Sequence, residues 1–116
     1  MYSHAMDVSI LNPMGELGRF EGGQLLHKIT QLVERQWVKI VLDLGDVEHI
    51  HYRILPELLQ VAVLSRLSNG GIKLAQVNAY HQRLLEVAGV HDKFETYDSV
   101  AEAILSFDVS TPAGSC

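Results

Sequence analysis

Cysteine is almost missing from this sequence: its single cysteine is Cys116, the last residue. No disulfide can close within the chain, and no thiolate metal set can form. Such usage suits a reducing compartment. Basic residues are also scarce, with 9 Lys and Arg against 14 Asp and Glu and a net charge of −5. A nucleic-acid surface needs clustered cations, so nucleic acid is not an expected partner. No polybasic run suggests an anionic membrane surface. No apolar stretch approaches the ~18 residues of a membrane span, so no direct membrane insertion is expected. The opening MYSHAMDVSI has neither the basic region nor the apolar stretch of a secretory signal. The expected location is the cytoplasm.

What is present is ordinary globular composition, 47% hydrophobic and 20% charged over 116 residues. That length suits one domain around one core. Residues 1–6 read as a disordered or expression-derived stretch, with Met6 as an alternative start. Residues 7–107 read as the folded domain. Residues 108–116, DVSTPAGSC, read as a flexible tail of small and polar residues.

Within the domain, buried strands alternate with helices. DVSIL predicts a short strand, and Gly15–Leu17 a second one after the break at Pro13. In FEGGQLLHKITQLVERQ, residues Leu25, Leu26, Ile29, Leu32 and Val33 recur at helical spacing. VKIVLDL and GIKLAQV are apolar on both faces, as strands covered by helices on both sides are. Between them, Ile54, Leu55, Leu58, Leu59, Ala62, Val63 and Leu67 predict a helix that ends at Asn69 and Gly70. AYHQRLLEVAG predicts a third helix ending at Gly89, and KFETY a short strand. DSVAEAILSF predicts a fourth helix capped by Asp98 or Ser99, with Val100, Ala103, Ile104 and Phe107 facing inward. The expected fold is a single small α/β domain: a mixed, mostly parallel sheet of about four strands with about four helices. The short N-terminal part leaves a sheet edge that could pair with a second copy.

The corner DVEHIHYRILPELL, residues 46–59, holds His49, His51, Tyr52 and Arg53, and no Ser, Thr, Asp or Asn follows Glu48 before the helix. A helix start exposes unpaired N–H groups and usually carries such a cap. Pro56 fits only a first helical turn, so the helix is expected to begin near Arg53. Arg53 opposes the helix dipole, which predicts a tie to Glu48 or Glu57 ahead of the alternative, an acid on a partner. His49 and His51 would share a face of an extended segment. Two imidazoles without a third ligand fall short of a metal set, so they read as exposed corner histidines. Tyr52 reads as an amphipathic contact residue. Asp43, closing VKIVLDL, reads as a structural acid tying down the next loop. Gly22 and Gly23 lack the frame of a phosphate loop. No nucleophile–base set is suggested, so no catalytic residue, metal or cofactor is expected.

The pieces LDLGDVEHI, NGGIKLAQVN, LLEVAGVHDKF and DSVAEAI, in that order and spacing, resemble the STAS domain family of bacterial anti-sigma factor antagonists over residues 14–107. The family pattern runs DLSGVxFIDSSGLGxLL, then RGGxLxLVN, then LxxxGLxxxF. Where it has Asp-Ser-Ser-Gly-Leu, this chain has His51-Tyr52-Arg53-Ile54-Leu55. The resemblance places Tyr52 at the serine that a partner kinase phosphorylates in switch-type members, and Ile54 at the glycine that gave close backbone access. It implies a non-catalytic interaction module in bacterial transcription regulation. The implied partner is an anti-sigma factor of the Ser/Thr-kinase type or a related signalling protein. The expected contact surface is His49, His51, Tyr52, Arg53 and Ile54, with secondary contacts at Gly22, Gly23 and Asn78, in the helix start at 22–26 and the loop at 78–82. Without the serine, the usual phospho-switch is expected to be lost or replaced. Because STAS domains also serve transporters, and some relatives bind nucleotides, two alternatives follow: an accessory subunit of a membrane transport complex, and a small-ligand sensor.

Overall fold

The computed structural model describes the backbone of residues 2–5 and 7–115 and the side chains of residues 7–107. A five-stranded sheet runs through the middle. Its strands are β1 (Tyr2–Ala5), β2 (Val8–Leu11), β4 (Lys39–Asp43), β6 (Gly71–Ala75) and β7 (Glu95–Tyr97), side by side in that order. β1 pairs antiparallel with β2, and the other neighbours are parallel. A second, two-stranded parallel sheet joins β3 (Gly15–Leu17) to β5 (Val47–Ile50). Four helices complete the described residues: α1 (Arg19–Glu34), α2 (Ile54–Leu67), α3 (Ala79–Val87) and α4 (Val100–Ser115). None is long and apolar enough to cross a membrane.

Strand alternation decides which layer each helix joins. In β4 and β6, Ile40, Leu42, Ile72 and Leu74 share a buried core with Ile29 and Leu32 of α1 and Leu55, Leu58 and Ala62 of α2. Val41 and Ala75, pointing the other way, meet Ala103 and Phe107 of α4. Both faces are covered, so Ile40, Val41 and Leu42 of β4 and Ile72, Leu74 and Ala75 of β6 are apolar, while Lys73 turns toward α4.

The helix limits follow local chemistry. α1 and α2 each end on a residue in the left-handed region, Gln36 (φ 68°) and Asn69 (φ 67°), and α3 ends at Gly89 (φ 75°). Ser99 caps α4, its hydroxyl accepting from the Glu102 N–H at 3.1 Å. The Asp43 carboxylate holds the end of the sheet. It accepts from the Gly45 N–H (2.9 Å), from Gln76 Nε2 (2.9 Å) after β6, and from Asn12 Nδ2 (3.1 Å) after β2.

Several expectations are corrected. Residues 2–5, for which disorder was one expectation, form β1, paired along β2 with a register from Tyr2↔Leu11 to Ala5↔Val8. β2 is thereby paired on both sides, and β1 becomes the edge strand of the sheet. The backbone of α4 continues to Ser115, past Phe107 where a flexible tail was expected. The side chains of residues 108–115, and Cys116 itself, lie outside the described residues. Val63 and Leu67, expected to face inward, are 44% and 78% exposed. α2 is apolar on nearly every side, so periodicity alone could not select its buried stripe of Ile54, Leu55, Leu58, Ala62 and Ser65. β5 lies between β4 and the start of α2.

Gly70 lies where the α2–β6 turn crosses the start of β4. A Cβ there would stand 2.1 Å from the Val38 carbonyl oxygen, a backbone atom that cannot swing away. Gly70→Ala is therefore expected to destabilise the fold by about 1–3 kcal/mol or more. A lowered urea midpoint with an unchanged slope checks this.

Candidate functional site

β5 leads into the corner. Its buried residues are Val47 and Ile50, while Glu48 and His49 face solvent. The His51 N–H then donates to the Leu17 carbonyl at 2.8 Å, extending the β3–β5 pairing by one bond. The Ile54 N–H donates back to the His51 carbonyl at 3.0 Å, which closes the turn and starts α2. Arg53 is the residue before the helix and contributes no side-chain cap, and Pro56 falls in the first turn as expected.

Ile54 is only 4% exposed, so it offers no outer contact surface. Its side chain fills the space where a Cβ on Gly22 would stand, 2.4 Å from Ile54 Cδ1. The buried glycine of α1 and the isoleucine of α2 are thus complementary, and together they bring the two helix starts side by side. Gly23, one residue on, has open space above it and borders a shallow depression of about 460 Å³ with Arg19, Phe20, Gln24 and His27.

Tyr52 is 54% exposed and Phe20 is 72% exposed. The Arg53 Nε–H donates to the Tyr52 hydroxyl at 3.2 Å, and its guanidinium lies 5.8 Å from the ring centroid. Arg53 thus takes Tyr52 as its partner, where a tie to Glu48 or Glu57 was expected. The hydrogen bond from Arg53, and then its charge, hold the Tyr52 phenol below the ordinary tyrosine value, and Arg19 adds in the same direction. The ring of His51 stacks on Tyr52 with centroids 5.1 Å apart, and its Nδ1 accepts from the Arg53 N–H at 3.2 Å. His49 turns elsewhere, its Nδ1 hydrogen-bonded to the Tyr80 hydroxyl. The two histidines therefore serve different neighbours. Among the described residues no three His, Cys, Asp or Glu side chains gather in a group that could hold a metal.

Asn78 is the N-cap of α3. Its side chain accepts from the His81 N–H at 2.8 Å, and its own N–H donates to His81 Nδ1 at 3.4 Å, a reciprocal capping box. Because Nδ1 accepts, Nε2 carries the proton and donates to the Val47 carbonyl at 2.8 Å. His81 is 1% exposed, so this bond is a buried tie from α3 to β5. The sequence reading missed His81. The available signal was the N-cap asparagine with a polar ring three residues on. Asn78, Tyr80 and His81 together anchor residues 78–82 beside β5; where a loop was expected, these residues are the cap and first turn of α3.

Two outcomes follow from this geometry. His81→Leu keeps the volume but leaves the buried Val47 carbonyl without its donor. It should cost about 1–3 kcal/mol of stability, read from urea unfolding. Arg53→Ala should move the Tyr52 titration upward toward the ordinary tyrosine value, visible in the pH dependence of its ring NMR signals. A titration that does not move would show that Arg53 is not its principal perturber.

Comparison with known proteins places this geometry in a family. The STAS domain model matches residues 3–103. None of the curated proteins compared matches the sequence. Among solved structures, the chain is similar to a Thermotoga maritima protein classed as an anti-sigma factor antagonist, with 25% identity, a TM-score of 0.84 and 93% of each chain covered. It has the same fold as an anti-sigma factor antagonist from Mycobacterium paratuberculosis, at 18% identity and a TM-score of 0.76, covering 93% of this chain and 92% of that one. A STAS domain protein from Planctomyces limnophilus also shares it, at 19% identity and a TM-score of 0.76, covering 92% of this chain and 95% of that one. Through the match over residues 3–103, the chain belongs to the STAS domain family.

Proposed function

We propose that this chain is a non-catalytic regulatory interaction module of the anti-sigma factor antagonist kind, and that its partner docks on the corner around Tyr52. The observation that carries this reading is the exposure of Tyr52, at 54%, immediately before α2 and beside Arg53. An exposed aromatic next to an arginine is the composition that protein interfaces favour. The start of α1, with Arg19, Phe20 and Gly23, extends the same surface. Asn78 and Tyr80 border it through the contact of Tyr80 with His49. The packed core beneath fixes the backbone, so docking needs little rearrangement.

The partner in this reading is an anti-sigma factor of the Ser/Thr-kinase type or a related signalling protein. Binding it competes with the sigma factor and releases that factor for transcription. The module acts in the cytoplasm. The corner offers such a kinase a phenol in place of a serine hydroxyl. A phosphate on tyrosine would sit several ångströms further from the helix start than one on serine. Control by the usual serine switch is therefore replaced by abundance, by the partner, or by Tyr52 itself.

The test is affinity for the kinase-type anti-sigma factors of the same organism, measured by calorimetry. Tyr52→Glu is expected to weaken binding at least about tenfold. Leu105→Glu, an exposed position on α4, is expected to leave it unchanged. Equal binding by wild type and Tyr52→Glu removes the corner as the docking surface. Copurification with a transport ATPase, and with no kinase-type protein, overturns the sigma-regulatory assignment.

A further inference from the structure

A hollow of about 780 Å³ opens at the end of the main sheet away from the corner. β4 begins there at Lys39 and runs to Asp43, after which the chain leads into the corner. Helix α2 likewise starts at the corner and delivers Arg66 and Asn69 to the hollow. Its volume lies within the roughly 300–1,000 Å³ typical of small-molecule sites.

Charge is concentrated here against the trend of the chain. Lys39, Arg66, Lys73 and Lys93 line the hollow, four of the 9 cations in a protein of net charge −5. The opposing acids are Asp92 and Glu95. Lys73 is 6% exposed, an unusual burial for a lysine on a strand. Its ammonium is held by Ser106 Oγ (2.8 Å) and Glu95 (3.1 Å) and lies 4.3 Å from the Phe107 ring centroid. The Glu95 side chain is 62% exposed, so it can turn to water and release that ammonium. Arg66 donates to the Lys93 carbonyl, fixing the end of α2 against the loop before β7. The Lys39 and Lys93 ammonium groups have no hydrogen bond or ion pair among the described residues.

The α2–β6 turn offers no backbone anion site. The N–H groups of Asn69, Gly70 and Gly71 are all used, on the carbonyls of Arg66, Ser65 and Val38. An anion would therefore be held by side chains, at the mouth by Lys39 and Lys93 and deeper by Arg66 and Lys73. Phe94 and Phe107, each 6% exposed, supply an apolar wall. A neutral or cationic guest would leave these cations uncompensated as water is displaced, which is costly.

We infer that this hollow binds a small organic anion, a molecule carrying a phosphate or carboxylate group beside an apolar portion. The site is independent of the corner and of the partner proposed for it.

The test is an NMR titration of the ¹⁵N-labelled full chain with phenyl phosphate, benzoate and, as the neutral counterpart, benzyl alcohol. Saturable shifts of the Lys39, Gly71, Lys93 and Phe94 amides are expected with at least one of the two anions, and the tighter one names the anionic group. Lys39→Ala/Lys93→Ala should weaken that binding at least about tenfold, or about 1.4 kcal/mol, without altering the thermal midpoint. Added salt should weaken it further. Should the double variant unfold, Lys93→Glu alone, at an exposed loop position, must show the same loss. Three results would overturn the proposal: no saturable shift with either anion, equal binding by benzyl alcohol, or affinity unchanged in the variants.

Discussion

The Asp43 carboxylate is the constraint on which the upper end of this molecule depends. Three separate segments meet on its two oxygens: Asn12 after β2, Gly45 after β4 and Gln76 after β6. The residue is only 9% exposed, so its charge is acceptable there because these donors satisfy it. Holding Gly45 directs the chain out of the main sheet and into β5. Holding Gln76 fixes the residue from which the chain turns toward α3, with Gln76 itself in the left-handed region at φ 57°. β5 and the loop before α3 are then joined by His81 and the Val47 carbonyl. The corner inherits its position from this network, one hydrogen-bonded segment at a time.

The corner itself is built from an internal fit and an external display. Internally, Ile54 fills the space left by Gly22, so α1 and α2 begin side by side. Externally, Tyr52 and Arg53 project from the turn before α2 and are tied to each other and to the His51 ring. Ile54 and Gly22 shape the surface from below, whereas Tyr52, Arg53, Phe20 and Gly23 form it. That division explains why a bulky isoleucine is tolerated at the first position of α2. The far end of the sheet follows a different logic, in which a buried lysine is balanced by an exposed acid, a hydroxyl and an aromatic face.

Much of this fold was legible in the sequence, and what was not has identifiable causes. β4 and β6 stood out because strands covered on both faces carry consecutive apolar residues, Ile40, Val41 and Leu42 in β4 and Leu74 and Ala75 in β6. The start of α2 was marked by Pro56, whose φ is fixed and which suits only a first turn, and its end by Asn69, which tolerates the left-handed region. β5 was not legible. Its exposed residues, Glu48 and His49, are adjacent, so the strand lacks a two-residue alternation. β1 was missed because a four-residue strand is defined by its partner, and β2 supplies that partner only after folding. The inward face of α2 was misjudged at Val63 and Leu67 because the helix is apolar on nearly every side. Ser65 meanwhile is fully buried, its hydroxyl satisfied by the Ala62 carbonyl at 2.7 Å.

The sequence by itself determined the alternation of buried strands and helices, the single-domain size and the family, because hydrophobic period and turn residues are local properties. It also identified Asp43 as a structural acid and Tyr52 as a residue at the head of a helix. Only the tertiary structure decided which partners those residues have. Arg53 pairs with Tyr52 and not with a nearby glutamate, His49 and His51 separate toward different neighbours, and His81 reaches a carbonyl 34 positions away. The four cations of the far hollow, spread from Lys39 to Lys93, likewise converge only when β4, α2, β6 and the loop before β7 come together. Such contacts depend on distances across the fold, and those distances are set by packing between elements whose positions no local pattern encodes.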